Sequence, residues 1–303
     1  MVESARMDLF VFFQLLLPGL TTGCVYALVA LGFVLTANVS GVVNFAQGEY
    51  VMLGGILSAW LLAEHVPLAL AILIATLACA ALGALQERLT LAPVRHSPHF
   101  IRITITLGVA VVLRGISLIA FGKDPLSLPG FSGDGIFELF GAILPVQSLW
   151  VWGATTALLA ATYGFLKHTD TGRAVRACSI NPQAARLMGV NIERLTPLVF
   201  AVAGGTGALA GIVITPIVLA NWDAGLAYGI KGFIGAILGG MRSPLVAVIG
   251  GLGIGVVESL AAGYISSGYK DAIVYGVLIA YLLLRGGVFL VGRRALVGAS
   301  HEP

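Results

Sequence analysis

Arg114, Lys231 and Glu258 each stand in an apolar stretch long enough to belong to a membrane crossing. An unpaired charge in hydrocarbon costs roughly 2.5–3.5 kcal/mol on insertion scales, so each must face the interior of a bundle or water. Lys231 and Glu258 lie on neighbouring stretches joined by the tight turn Arg242-Ser243-Pro244. At 1.5 Å per residue their depths differ by roughly 7 Å, which tilt and a long Lys stem can bridge. A structural ion pair is the preferred reading. The alternative is that one of them lines a route for a zwitterion, which needs a counter-charge at each end. Arg114 precedes Lys123 closely and is read as reaching toward the outer interface. Glu49, at the edge of an apolar stretch beside Gly48, suits the first turn of a helix, where the dipole favours a carboxylate.

No constellation for enzyme chemistry is present. The histidines, His65, His96, His99, His168 and His301, form no His-Glu-x-x-His pattern. His96 and His99 have metal-like spacing but sit in a basic loop without carboxylates, so they read as a solvated pair and no metal site is expected. There is no Gly-x-Ser-x-Gly elbow, and no Gly-x-x-x-x-Gly-Lys-Ser/Thr loop to cradle ATP phosphates. Cys24, Cys79 and Cys178 lack paired spacing and read as buried, unreactive thiols.

The elements that must position these charges follow from composition. Of 303 residues, 58% are hydrophobic and 10% charged. Soluble domains are nearer a quarter charged, so a water-soluble domain, a disordered chain and a nucleic-acid binder are excluded. The net charge of +3 is too small for a polyanion surface, and 40 glycines suggest close helix packing in lipid. Leu9 to Gly48 carries no charge over roughly forty residues, about twice one crossing. That run must hold one long helix with a re-entrant or interfacial piece, or two tight crossings, interrupted at Pro18-Gly19 and Asn38 to Gly41. Further spans are expected over 50–63, 68–86, 103–122, 146–166, 195–220, 228–241, 245–262 and 272–290. The short ones, 50–63 and 228–241, read as broken helices that line a pathway. Gly48 followed by Gly54-Gly55 parallels Gly232 followed by Gly239-Gly240, which suggests two weakly related halves. The expected fold is therefore all-α: one transmembrane domain over 1–303, a polytopic helical bundle with short broken helices.

Orientation is read from the basic loops. Arg88, Arg95 and Arg102 cluster in one, Lys167, Arg173, Arg176, Arg186 and Arg194 in another, Arg242 marks a third, and Arg285, Arg293 and Arg294 mark the C-terminus. Alternate loops hold only Lys123 and Lys270. Placing the rich regions in the cytoplasm puts the C-terminus inside and leaves the side of the N-terminus open. Met1 to Asp8 carries Glu3, Arg6 and Asp8, so no removable signal peptide is read there. The outer loop from Lys123 to Leu144 is rich in Pro and Gly and reads as turns, either over a pore mouth or as a solvated connector.

The most informative stretch is 167–194. Asn181 can cap a helix, Pro182 suits its first turn, and Gly189 can end it in a left-handed conformation. The enclosed residues put Ala184, Leu187 and Met188 on one face, and two turns with an apolar face need a partner. Arg173 and Arg176 also face one way. The plain alternative is a surface hairpin joining two spans. The run Gly172-Arg173-Ala174-x-Arg176-Ala177-x-x-x-Asn181-Pro182-x-Ala184-Ala185-Arg186-Leu187-Met188-Gly189 resembles the cytoplasmic coupling segment of ABC-transporter permeases for branched-chain amino acids. Asn44-Phe45-Ala46-Gln47-Gly48-Glu49 resembles that family's signature before its second span. Glu87-Arg88 with Ala92-Pro93-Val94-Arg95, and Gly239-Gly240-Met241-Arg242-Ser243-Pro244 with Gly250-Gly251 and Glu258, resemble two later motifs. The chain departs at Met241-Arg242, where the family usually has a small residue and then glycine.

The resemblance implies a bacterial inner-membrane importer subunit that binds no cofactor. ATP and Mg would sit on two ATP-binding partner subunits. A second permease chain and an extracytoplasmic amino-acid-binding protein would complete the assembly in the bilayer. It further implies ATPase coupling through Arg173, Arg176, Asn181, Pro182, Ala184, Arg186, Leu187, Met188 and Gly189. Candidates for the translocation path or gate are Asn44, Gln47, Gly48, Glu49, Lys231 and Glu258, with Asn44–Glu49 favoured as shaping the interior near the cytoplasmic gate over touching substrate. Related permeases carry urea, short amides or other amino acids, and an ion-coupled secondary transporter is the rival from a different class. A channel is excluded, because Asn181-Pro182 sits among basic residues outside the spans.

Overall fold

In the computed structural model the backbone is described for residues 2–298 except 242, and side chains for 9–285 with the same exception. Arg242, Arg293 and Arg294, used above for orientation, lie outside the described side chains. The helices are α1 (Val2–Ser40), α2 (Gln47–Ala63), α3 (Leu68–Gln86) continued by a π-helical turn (Glu87–Leu91), and α4 (His99–Phe121). A hairpin follows, β1 (Ile136–Leu139) and β2 (Ala142–Pro145). Then come α5 (Gln147–His168), α6 (Asp170–Ile180), α7 (Pro182–Leu187), α8 (Ile192–Ile214), α9 (Ala224–Leu238), α10 (Pro244–Tyr264) and α11 (Lys270–Gly298). Among the described residues, six helices are long and apolar enough to cross a membrane: Leu9–Ser40, Leu68–Leu91, His99–Phe121, Gln147–His168, Ile192–Ile214 and Pro244–Tyr264.

Backbone contact organises the centre. A Cβ on Gly255 would lie 2.3 Å from the Cα of Gly23, and one on Gly251 would lie 2.6 Å from the Cα of Ala27. Gly19 meets the Ser259 Cβ and the Gly255 backbone, and Gly263 receives the Leu15 side chain, so α10 runs antiparallel to α1, in near-backbone contact over the middle of the crossing. Gly54 and Gly211 set α2 against α8, at Ala208 and Val51 respectively, and Gly83 and Gly204 set α3 against α8. Apolar side chains gain little from association when the solvent is itself apolar, so close backbone approach supplies the dispersion contact instead. α1 and α8 are accordingly the most buried spans, with 83% and 78% of their apolar windows covered.

The run from Leu9 is one continuous helix, not two crossings. Pro18 does not interrupt it. Pro18 removes one backbone donor, the one facing the Gln14 carbonyl, and the helix runs on through it, with Ser259 Oγ of α10 donating to the adjacent Leu15 carbonyl at 2.6 Å. The expected break near Asn38–Gly41 is real: α1 ends at Ser40 and Gly41 takes φ +69°. Residues 41–46 then lead back into the bundle, because Gln47 packs against Gly32, a full two turns before the end of α1. α2 thus starts inside the bundle. With 17 residues, and 15 in α9, both fall short of the roughly 20 that one crossing needs.

Two expectations need correction. The fold is not purely α. Phe140 and Gly141 take φ of 54° and 85° between Leu139 and Ala142, a two-residue turn of the type that matches strand twist. The hairpin is docked, not a solvated connector: Ala142 and Leu144 point inward, Phe13 stacks on Phe140 at 5.2 Å, and the Gln14 amide exchanges two hydrogen bonds with the Ile143 backbone. This places the N-terminal part of α1 at the hairpin end of the bundle and Ser40 at the opposite end, beside α7. The glycine parallel also fails. Gly54-Gly55 lie in the middle of α2, whereas Gly239 and Gly240 close α9. Gly240 and Met241 there take φ of 75° and 58°, so the residue that departs from the family pattern carries a left-handed backbone.

The α1–α10 contact generates a paired expectation. Gly255→Val forces two backbones apart and should cost more than about 3 kcal/mol, the upper end of overpacking penalties. Gly253→Ala, with nothing within 4 Å of its Cβ, should leave stability within about 1 kcal/mol. Thermal unfolding of the detergent-solubilised variants would separate them, and equal melting would remove the crossing from its central role.

Candidate functional site

The Asn44–Glu49 motif forms the entry to α2 in the bundle interior. Asn44 and Gln86 exchange side-chain amides, with Gln86 Nε2 to Asn44 Oδ1 at 2.7 Å, and the Tyr50 hydroxyl closes on Gln86 Oε1. Asn44 Oδ1 also accepts from the Ala46 N–H, and Gln47 Nε2 donates to the Ala203 carbonyl at 2.9 Å. Gly48 lets α9 approach: a Cβ there would lie 2.1 Å from the Gly225 carbonyl oxygen and 2.6 Å from the Gly229 Cα. Glu49 stands in the first turn of α2, as expected, and is 1% exposed. Its Oε1 pairs with Arg114 Nη2 at 2.5 Å, and its Oε2 lies against Gly225 in the first turn of α9, where the helix dipole favours an anion. Arg114 therefore does not reach for the outer interface. A charge alone in each of two spans is the sequence signal for this pair, and it was passed over because α2 and α4 are not neighbours in the chain.

Lys231 and Glu258 meet, as the depth arithmetic predicts. Lys231 Nζ lies 2.6 Å from Glu258 Oε1, and both side chains are buried. Two partners at the start of α11, Asp271 at 2.8 Å from Lys231 and Lys270 at 3.2 Å from Glu258, complete a four-charge cluster. The Tyr26 hydroxyl donates to the second Glu258 oxygen at 2.7 Å, and Lys231 sits 5.7 Å from the Tyr26 ring. Sequence reasoning missed Tyr26, Lys270 and Asp271, because the latter two sit at a helix end that looks solvated. The cluster ties α1, α9, α10 and α11 together and lies far along the chain from Glu49–Arg114.

At the end opposite the hairpin, α6 and α7 form a compact elbow. Thr169 caps α6 by accepting from the Gly172 N–H, and Arg173 pairs with Asp170 at 3.1 Å. Asn181 Oδ1 accepts from the N–H groups of Gln183 and Ala184, and Pro182 occupies the first turn of α7. Gly189 at φ +88° closes it, with Gly189 N–H on Arg186 O and Val190 N–H on Ala185 O, the paired C-terminal bonds of a Schellman motif. Val175, Cys178, Ala185 and Ile192 anchor the elbow in the core. Burial pushes the Cys178 thiol up, which suits an unreactive side chain. The opposite face is bare: Ile180, Leu187 and Met188 are 87%, 89% and 86% exposed, and Ala184, Arg173, Arg176 and Arg186 are exposed beside them.

The buried pairs make a stability prediction. Arg114→Met strands the Glu49 carboxylate and should cost about 3–5 kcal/mol, and adding Glu49→Gln should recover much of it. Glu258→Gln should be milder, since Lys231 keeps Asp271 at 2.8 Å. Melting temperatures of the three variants test the order; an Arg114→Met protein as stable as the double variant would dissolve the pairing argument.

Similarity to known proteins bears on the same residues. The family model described as "Branched-chain amino acid transport system / permease component" matches residues 15–282. The "High-affinity branched-chain amino acid transport system permease protein LivH" of Salmonella typhimurium is 32% identical over 292 residues, covering 90% of this chain and 93% of that one. The corresponding permease protein BraD of Pseudomonas aeruginosa is 28% identical over 292 residues, covering 92% and 95%. The "Ribose import permease protein RbsC" of Escherichia coli is 27% identical over 275 residues, covering 86% and 81%. Matched over most of its length by the family model and 32% identical to a member across 90% of the chain, this protein belongs to the branched-chain amino acid ABC-transporter permease family, as a transmembrane component that is not itself catalytic.

Proposed function

We propose that this chain forms, with a second permease chain, the membrane passage of an ATP-driven importer of branched-chain amino acids in a bacterial inner membrane. Two ATP-binding subunits dock from the cytoplasm, and an extracytoplasmic amino-acid-binding protein delivers the substrate. The observation that carries this reading is the bare apolar face of α7 on an elbow otherwise anchored in the core. A two-turn helix is marginal alone in water, and among the described residues nothing covers Leu187 and Met188. ATP and Mg belong to the partner subunits.

Sidedness follows from charge. Arg88, Arg95, Arg102 and the basic residues of 167–194 gather at the α7 end, while the hairpin end has Lys123 and Lys270. The α7 end is therefore cytoplasmic. α1 starts at the outer end, and α11 starts beside Glu258 and runs inward, which puts the C-terminus inside.

In this mechanism nucleotide-driven closure of the ATPases moves α7, and α6 and α8 carry the motion into the spans. Asn181, Pro182 and Gly189 hold α7 in shape, Ala184, Leu187 and Met188 make the apolar contact, and Arg173, Arg176 and Arg186 meet acidic groups around it. Asn44, Gln47, Gly48 and Glu49 shape the gate by fixing the entry of α2, without touching substrate. Lys231 and Glu258 brace α9 against α10. Similarity favours branched-chain amino acids over ribose, since the LivH likeness is the stronger in identity and coverage.

Truncating Leu187 and Met188 to Ala removes up to roughly 1.5–3 kcal/mol of burial per side chain if each is fully covered. At 1.4 kcal/mol per tenfold in affinity, the double variant should shed its ATPases or hydrolyse ATP without import, while inserting normally. Wild-type ATPase retention with normal leucine uptake would return 167–194 to a mere connector. Co-purification with the ATPases and binding protein, followed by ligand-stimulated ATP hydrolysis, tests the substrate. Leucine, isoleucine and valine should stimulate and ribose should not. Uptake by the chain expressed without ATPases would favour a secondary transporter.

A further inference from the structure

A cavity of about 210 Å³ lies behind α7, between the last turn of α1, the π-helical turn after α3 and the first turn of α8. That is far more than the roughly 10–15 Å³ of probe-occupied space that one water requires. Of its lining, Gly41, Pro182, Arg186 and Glu193 are solvent-exposed and mark its open side, and Leu187 and Met188 do not line it. Two of its polar groups lack full partners. Glu87 is 4% exposed, and its Oε2 is buried with no hydrogen-bond partner. Arg102 donates through Nη1 to the Ser40 carbonyl at 3.3 Å, but its Nε is buried and unpartnered. The neighbouring Arg95 pairs with Glu193 at 2.7 Å; its charge and that of Arg88 bear on Glu87, but neither hydrogen-bonds the Glu87 Oε2. Buried polar atoms left in this state are costly and need an explanation.

Val39, Val42, Leu91 and Ile192 give the remaining wall an apolar part, beside Ser40 and Thr196. Glu87 reaches the cavity from a π-helical turn, in which the Ala92 N–H bonds the Glu87 carbonyl at 2.8 Å, and such turns recur at functional sites. A simple anion would give Arg102 Nε an acceptor and leave Glu87 Oε2 without a donor; a simple cation would do the reverse. A molecule carrying one charge of each sign, with an apolar remainder, answers both groups and the wall.

We propose that this cavity binds a free amino acid with an apolar side chain. Its carboxylate meets Arg102, with Arg186 at the mouth, its ammonium meets Glu87, and its side chain lies between Val42 and Ile192. The bound molecule bridges α7 and α8 to the ends of α1 and α3. On the reading of α7 as the ATPase contact, the imported product accumulating in the cytoplasm would hold the elbow still and slow turnover.

The test needs no ATPase, so it fails or succeeds independently of the import reading. Full-length chain in lipid nanodiscs is dialysed against radiolabelled leucine. Saturable binding of one leucine per chain is expected, weakened at least tenfold in Glu87→Gln. On the unaltered protein, 4-methylpentanoate, which lacks the ammonium, and 3-methylbutylamine, which lacks the carboxylate, should fail to displace leucine at hundredfold excess. This second arm decides the matter should Glu87→Gln fold poorly. No saturable binding, unchanged affinity in a folded Glu87→Gln protein, or displacement by either single-charge analogue overturns the site.

Discussion

The backbone-to-backbone approach of α1 and α10 is the contact on which the rest of the bundle depends. In lipid the hydrophobic effect does not select one helix arrangement over another, and glycine crossings such as Gly23–Gly255 supply the missing specificity. Once α10 is fixed along α1, α9 is held by Gly235 against Gly251 and by Gly232 against Val29, and α2 is held in turn by Gly48 against α9. The charge pairs then lock these placements. A glycine contact tolerates sliding, whereas a pair such as Lys231–Glu258 has one register at which both charges are satisfied.

The two short helices give the bundle its irregular interior. α2 and α9 meet near their N-termini at Gly48, Gly225 and Gly229, away from either end of the long spans. Side chains answer part of the polar need there: Asn44 accepts from the Ala46 N–H, and the Glu49 carboxylate lies against the first turn of α9 as a charge facing the helix dipole, without a hydrogen bond to it. Arg114 then neutralises the carboxylate from a helix that otherwise makes few contacts with the bundle. Irregular backbone at this depth is thus tolerated because polar side chains stand in for water.

Much of this was legible in the residues. The charge-poor stretches, the short spans and the Asn181–Gly189 helix all follow from local rules, since caps, prolines and left-handed glycines act within a few residues. The Lys231–Glu258 pair was legible because a tight turn joins its two helices, so depth alone relates them. Other features are long-range. Arg114 meets Glu49 across 65 residues of chain, and Tyr26 meets Glu258 across 232, so no spacing argument reaches them. The hairpin was missed because its turn is Phe140-Gly141, not the usual Asn-Gly, and its register is set by Gln14 on a distant helix.

α1 is a stiff rod of 39 residues, about 58 Å long at 1.5 Å per residue. One end carries the docked hairpin and the other borders the cavity behind α7, while the glycine crossings grip it in between. Such a rod is a lever with its fulcrum in the core. A lean of about 5° about the midpoint would carry each end through about 2.5 Å in opposite directions. Displacement at one membrane face would then arrive at the other without any helix bending, stretching or breaking a backbone hydrogen bond.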